Sequence, residues 1–398
     1  MVDYREVPLA AFGSKSIVRI RDIDAVVHNY RIFADRVAQT DTVCGVVLKG
    51  DVHGLSMAAV APALYEAGCS CYFVEEIAEG IELRGFLPQS DARIYAMAGL
   101  LDGEEAYFAD HDVTPCLNDL DQIERWNRFC GLNGRRGAVI HLDTHMNRLG
   151  LLDGDVDKLA DGFDELTGHL DVEFYMSHFA DIKGDDASGC LRQLDVLNGY
   201  LAELPPRPVS FSATDATILL DNQIFDFDIV RIGVGLIGGA PSASRPVSPD
   251  AESALEIYAK LSQIKWVAAG QPVGYGGAYV TKRDTKLALA HIGYKDGYLR
   301  ALSETDAKPV GAFMCVGGYR APVIGKVSMG MTTLDVTDVP DDVLKRCCCA
   351  EVVGPNVDMK QLADLGGCYE VLVALGRPNL KCADFTLREF ESGFGSMR

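Results

Sequence analysis

Lys49 closes the apolar run Val46–Leu48 and is followed at once by Gly50, Asp51, Val52, His53 and Gly54, so an amine stands where a buried strand gives way to a loop. An amine so placed can condense with a carbonyl to a Schiff base, the attachment chemistry of pyridoxal phosphate. A single lysine after a strand is ordinarily a solvated loop residue. Further along the chain, however, other chemistry-bearing side chains stand at equivalent points. His141, Asp143 and Arg148 end or follow an apolar run, as do His178, Asp215 and Arg231.

These residues are positioned by an alternation of β-rich runs with helix-patterned segments. Strands are expected at Thr42–Leu48, Cys71–Val74, Arg93–Met97, Val113–Leu117, Ala138–Leu142, Val172–Met176, Val209–Ser212 and Asp228–Ile232. Between them, stretches such as Ser56–Ala67 and Glu75–Arg84 repeat alanine, leucine and glutamate at helical spacing. Eight repeats read as an α/β fold, a (β/α)8 TIM-like barrel, rather than a doubly wound sheet. A barrel of this kind places function just after the carboxyl ends of its strands, where all seven residues fall. Beyond Ser244 the alternation stops. Pro241, Pro246 and Pro249 punctuate a linker, and short β segments follow at Leu261–Val267, Lys286–Gly293, Val310–Val316 and Ala321–Val336, separated by Gly-rich turns. A mainly β C-terminal domain is therefore expected. The division is 14–243 for the barrel and 244–398 for the β domain, with residues 1–13 packing on the latter.

With 398 residues, nearly half of them apolar, and no run of about 20 apolar residues, the chain reads as a soluble two-domain protein without a membrane partner. Its net charge of −20 excludes a phosphate-backbone partner, which needs a basic surface, and no nucleic acid is expected. Anionic small molecules remain open through local basic residues. Asp3, Arg5 and Glu6 break the pattern of a secretory signal, and the expected location is cytoplasmic. The twelve cysteines are scattered through apolar runs without a C-x-x-C pair, and Cys347-Cys348-Cys349 lacks the spacing of a zinc site. Reduced thiols buried as small hydrophobes, and no metal, are the reading.

The motifs together resemble the alanine racemase family of pyridoxal phosphate-dependent amino-acid racemases, in family order from about Ile17 to Lys381. V-L-K-G-D-V-H-G around Lys49 is similar to the family's V-x-K-A-D-A-Y-G-H-G. D-T-H-M-N-R-L-G at Asp143–Gly150 resembles D-T-G-M-N-R-L-G, and V-R-I-G-V-G-L-I-G at Val230–Gly238 resembles V-R-P-G-I-x-L-Y-G. P-V-G-Y-G-G-A-Y, G-Y-K-D-G-Y-L-R and G-K-V-S-M-G-M-T follow in the second domain. The resemblance implies that Lys49 holds the cofactor and acts as base on one face of the substrate α-carbon, with Tyr275 as base on the other. Racemisation needs a proton acceptor and a donor on opposite sides. It further implies that Arg231 meets the pyridine nitrogen, that His178 supports the tyrosine, and that Arg148 steadies the tyrosine and the substrate carboxylate. Backbone at Met329 meets that carboxylate, and Tyr294 and Arg300 line the entrance. The cofactor phosphate falls to His53, Asp215, Gly233, Val234 and Tyr369. Since Tyr275 lies in the β domain, the resemblance implies a head-to-tail homodimer with each mouth completed in trans.

Several positions depart from the family pattern. His53 replaces a phosphate-binding tyrosine and Leu55 the next histidine; Asp215 replaces a phosphate-binding serine. A carboxylate beside a phosphate is repulsive unless it is protonated or bridged, and His53 as a cation is one compensation. Gly330 replaces an aspartate, and His145 a glycine. His141 stands where many members carry a lysine that is carbamylated to orient the arginine, so Arg148 must be positioned otherwise. Three readings follow: a racemase of alanine or another small amino acid; an enzyme of the same fold and cofactor with different chemistry on a modified amino acid; and a non-catalytic paralogue that binds the cofactor or a metabolite.

Overall fold

The computed structural model describes the chain apart from residues 1–4, 39, 90, 181, 183–187, 220–226, 240–249, 367–369, 378–380 and 396–398. The linker expected near Ser244 and the phosphate contact expected at Tyr369 lie outside the described residues. A first strand, β1 (Ile17–Arg21), precedes eight short ones: β2 (Val43–Val47), β3 (Cys71–Val74), β4 (Arg93–Ala96), β5 (Thr114–Leu117), β6 (Arg136–His141), β7 (Leu170–Met176), β8 (Val209–Ala213) and β9 (Ile229–Ile232). Strands β2 to β9 form a closed parallel barrel in which each pairs with the next and β9 returns to β2. The expected TIM-like barrel is present, each strand within two residues of its sequence-based bounds.

The barrel forms because both faces of its strands are apolar, as parallel sheets covered on each side require. Every residue of β3 and β9 is buried. Alternate positions, Cys71, Phe73, Tyr95, Cys116, Val139, Phe174 and Met176, make a separate cluster that fills the barrel, with Phe73 and Phe174 each 5.1 Å from the Tyr95 ring or stacked on it. The intervening positions, among them Tyr72, Val74, Ile94 and Ile140, join the larger core beneath the helices. Two helices that bracket the site are capped by side chains. Asp22 accepts from Ala25 N ahead of Ile23–Val37, and Asp119 accepts from Gln122 N ahead of Leu120–Asn133. Cysteines throughout this core are free thiols, mostly buried.

After the barrel come β10 (Leu255–Val267), β11 (Pro272–Val273), β12 (Tyr279–Val280), β13 (Thr285–Ala290), β14 (Phe313–Val316), β15 (Tyr319–Pro322), β16 (Thr332–Asp335), β17 (Cys349–Val353) and β18 (Cys382–Thr386). The main sheet runs β15-β14-β17-β10-β1-β18, with β13 pairing β10 and β16. The expected mainly β C-terminal domain is present. The single segment expected over Ala321–Val336 is instead two strands, because Gly325 (φ 76°) and the loop to Met331 turn the chain between them. The N-terminal strand β1 is a member of this second sheet, antiparallel to β10 and parallel to β18. Ahead of it, Arg5 pairs with Glu256 at 2.8 Å, and Val7 and Phe12 pack with Val18, Tyr258 and Phe390. Among the described residues no helix is long and apolar enough to cross a membrane.

Candidate active site at the barrel mouth

A cavity of about 240 Å³ opens at the carboxyl ends of the barrel strands, lined by Lys49, Glu75, His141, Arg148, His178 and Arg231 over a floor that includes Val47, Met97 and Met176. Larger depressions lie elsewhere on the surface, one between the helices that carry His28 and Ala63. The mouth cavity is the one where cations and imidazoles from the ends of four different strands, β2, β6, β7 and β9, converge, which is the geometry expected of a site on this fold.

Each side chain is delivered by a specific local device. Lys49 begins a turn in which Gly50, Asp51, Val52 and His53 all have φ between 53° and 64°. Left-handed backbone is costly for residues other than glycine, so Asp51, Val52 and His53 in succession need external support. It comes from Val52 N to Leu48 O, from Gly50 N to the Glu79 carboxylate, and from the Asp51 carboxylate accepting Met57 N. Gly54 (φ 87°) then lies so close to Gly376 that a Cβ would sit 1.8 Å from the Gly376 carbonyl oxygen. Substituting Gly54 with alanine is therefore expected to lower the Tm by several degrees, measured by differential scanning calorimetry, and to loosen the Lys49 turn. Arg148 is presented by a loop closed by Leu151 N to His141 O and Asp143 N to Leu151 O, with the Asp143 carboxylate accepting Met146 N and Asn147 N. Neither Lys49 nor Arg148 has a hydrogen bond or ion pair among the described residues, and both side chains are exposed to the mouth.

Arg231 is the opposite case, 3% exposed and held by internal partners. Its guanidinium donates to Ser210 Oγ (2.6 Å) and to the Ser177 carbonyl (2.6 Å), and one nitrogen lies 3.3 Å from His178 Nδ1. All these partners are neutral, so burial lowers the guanidinium to about 10, still protonated at neutral pH. The same burial, reinforced by Arg231 and Arg148, pushes His178 and His141 down to about 3, and both imidazoles are uncharged. His178 therefore accepts from Arg231 at Nδ1 and carries its proton on Nε2.

The expected phosphate end is only partly assembled as anticipated. Gly233 N donates to Thr214 Oγ1 at 3.0 Å and Gly235 N lies 3.4 Å from the same oxygen, so of the two expected backbone donors only Val234 N is without a partner among the described residues. His53 is half-buried with an orphaned Nδ1, and burial together with Lys49 lowers it from its ordinary value. Both effects work against the cation considered as compensation at His53. Asp215 is half-buried, has no partner among the described residues, and is raised by burial. Thr214 was missed by sequence reasoning, as were Asn118, Ser177 and Ser210. The first two are ordinary polar residues after strands, and only the fold shows what they hold.

The structure does not bring Tyr275, Met329, Tyr294 and Arg300 to Lys49. All four are on the second domain and none lines the mouth cavity. Tyr275 is 71% exposed and Met329 57%. Tyr294, Met329 and Arg300 nevertheless lie together, since Tyr294 N and Lys295 N donate to Ser328 O and Met329 O, and the Arg300 guanidinium lies 5.7 Å over the Tyr294 ring.

An eight-stranded parallel barrel with an unpaired lysine at its mouth, joined to a β domain, is the architecture of a cofactor-binding enzyme. The chain belongs to the alanine racemase family: residues 21–241 match the model for the alanine racemase N-terminal domain, and residues 254–379 that for the C-terminal domain. It is 36% identical over 386 residues to an alanine racemase of Brucella abortus, with 92% of each chain covered, and 32% identical over 364 residues to a biosynthetic alanine racemase of Agrobacterium fabrum, covering 89% of this chain and 90% of that one. The crystal structure of alanine racemase from Bartonella henselae with covalently bound pyridoxal phosphate superposes with a TM-score of 0.81 at 29% identity, over 93% of this chain and 99% of that chain.

Proposed function

We infer that this chain is a pyridoxal phosphate-dependent racemase that interconverts the enantiomers of alanine or another small amino acid. The observation that carries this is the unpaired Lys49 amine facing a cavity that the buried Arg231, on the neighbouring strand, also lines, in a chain of this family. The residues present fit the cofactor. Lys49 would attach it, Arg231 would meet its ring nitrogen, and Val234 N, the orphaned His53 imidazole and Tyr369 would meet its phosphate. When bound, the cofactor supplies a conjugated ring that stabilises negative charge at the substrate α-carbon.

The protein's own groups then do the rest. Arg148, exposed and without an internal partner, receives the substrate carboxylate. Lys49 takes or gives a proton on one face of the α-carbon, and Tyr275 does so on the other. His178, unprotonated at Nδ1 where Arg231 donates, directs its Nε2 proton toward the mouth and supports the tyrosine. Because Arg231 is permanently charged and donates rather than accepts, it leaves the ring nitrogen without a proton of its own. Met329, Tyr294 and Arg300 would close the entrance. Since these and Tyr275 are exposed on the second domain and none lines the mouth cavity of the same chain, the reading includes a head-to-tail homodimer, with the barrel domain ending near residue 243 and β1 counted with the β domain. The buried thiols fit a cytoplasmic location.

The test is exchange of the α-proton of L-alanine with deuterated solvent, accompanied by appearance of D-alanine. Exchange with inversion supports the proposal, and neither at saturating cofactor refutes it. Asp215 sets a second expectation. Protonated, its carboxyl donates to a phosphate; ionised, it repels one. As burial raises Asp215, the protonated form survives to higher pH than usual, and cofactor affinity should fall as pH rises through that range. Replacing Asp215 with serine is expected to tighten cofactor binding by about tenfold above neutral pH and to flatten this dependence, read by fluorescence titration.

A further inference from the structure

We propose that Asn118 and His141 act as a positioning pair that presents an unprotonated, uncharged imidazole nitrogen to Arg148. The proposal rests on the racemase reading in that Arg148 is the carboxylate anchor. His141 is 6% exposed at the end of β6, and its Nδ1 lies 2.7 Å from Asn118 Oδ1. Asn118, itself 5% exposed, is fixed on three sides. Its Nδ2 donates to the Met97 carbonyl at 3.3 Å, its backbone N–H donates to Gln122 Oε1 at 3.0 Å, and Gln122 is held in turn by Asp119. Gly99 (φ 96°) leaves the room for this arrangement, since a Cβ there would come within 2.5 Å of Asn118 Nδ2.

With its amide group spent on Met97, Asn118 offers His141 only an oxygen, and an amide oxygen accepts but does not donate. The imidazole proton therefore resides on Nδ1, and Nε2 keeps its lone pair. His141 and Arg148 line the same cavity and the same adjoining cleft, and the charged or titratable groups around them there are Arg231, Lys49, His178, Glu75 and Asp143. The guanidinium is a donor without a partner among the described residues, and its charge acts on His141 across the cavity that both line. An acceptor without charge orients Arg148 while leaving its whole positive charge for the substrate carboxylate. An anionic partner would orient it equally well but would compete with that carboxylate.

Long-range proton–nitrogen correlation spectra of the protein with labelled histidine are expected to show His141 as the neutral Nδ1–H tautomer from mildly acidic to mildly alkaline pH. In steady-state kinetics, His141→Leu is expected to raise KM for alanine about tenfold with little change in kcat, and His141→Gln, which keeps an acceptor, to recover most of it. Asn118→Asp can hold a proton on each imidazole nitrogen, so its KM should climb as pH falls, whereas the wild-type KM should not. An Nε2–H tautomer, a pH-independent Asn118→Asp, or equal KM values for the leucine and glutamine variants would each overturn the pairing. Loss of turnover in the wild type with the Nδ1–H tautomer intact would instead count against the racemase reading, and propionate binding, followed by calorimetry in wild type and His141→Leu, would then decide the pairing: equal affinities would overturn it, and weaker binding in the variant would support it.

Discussion

Replacing Lys49 with alanine is expected to abolish racemisation, lowering kcat by about four orders of magnitude or more, because one substitution removes two functions. On the proposed reading the amine is the covalent anchor for the cofactor and also the proton carrier on one face of the substrate. Its surroundings argue that both depend on this one residue. Gly50 to His53 are held left-handed by contacts from Glu79, Leu48 and Met57, which fixes the amine over the cavity without tying it to any acceptor. The other cations there, Arg231 and Arg148, carry guanidiniums rather than amines, and a guanidinium does not substitute as a base. The variant should fold, since Lys49 is exposed and contributes no internal bond. The check is spectroscopic as well as kinetic. Wild-type protein incubated with pyridoxal phosphate should give a visible band and, after borohydride, a modified Lys49 peptide; the variant should give neither, with an unchanged far-ultraviolet spectrum. Residual turnover above about one part in a thousand of wild type would show that another group serves as base on that face.

Much of this was legible from residues alone. Barrel strands such as Cys71–Val74 announce themselves as short continuous apolar runs bounded by polar turns, because a strand buried on both faces has no room for alternation. Lys49, Arg148, His178 and Arg231 converge as their positions after strands implied. Other features were not readable, for identifiable reasons. The pairing of Ile17–Arg21 with β10 and β18 joins segments more than 200 residues apart, and nothing local marks it. Ser210, Ser177 and Asn118 look like ordinary polar residues until the fold shows that two of them satisfy Arg231 and the third selects the tautomer of His141. The cationic role considered for His53 meets an obstacle of the same kind: sequence shows a histidine beside a phosphate site, whereas burial and the nearby Lys49 amine both work against a charge there.

Tyr275→Phe is expected to be nearly inactive in racemisation, by about two to four orders of magnitude, while retaining cofactor on Lys49. Its loss should be one-sided. With the tyrosine hydroxyl gone, Lys49 still exchanges the α-proton on its own face, so one enantiomer should keep solvent exchange while interconversion collapses. The same variant tests how the site is completed. Tyr275 is 71% exposed and no described residue of its domain lines the mouth cavity of the same chain, so on the proposed reading the hydroxyl that reaches an α-carbon over Lys49 comes from a second copy. In a head-to-tail dimer, a subunit with Lys49→Ala paired with one carrying Tyr275→Phe has one site bearing both changes and one site bearing neither. Half of randomly reassorted dimers are mixed and each holds one intact site of two, so equal mixing of the two inactive variants, after dissociation and reassociation, should restore about a quarter of wild-type activity. If both groups came from the same chain, every site would carry one defect or the other, and mixing would restore nothing. The two outcomes differ by far more than assay error, which makes the complementation decisive for both the second base and the arrangement of the subunits.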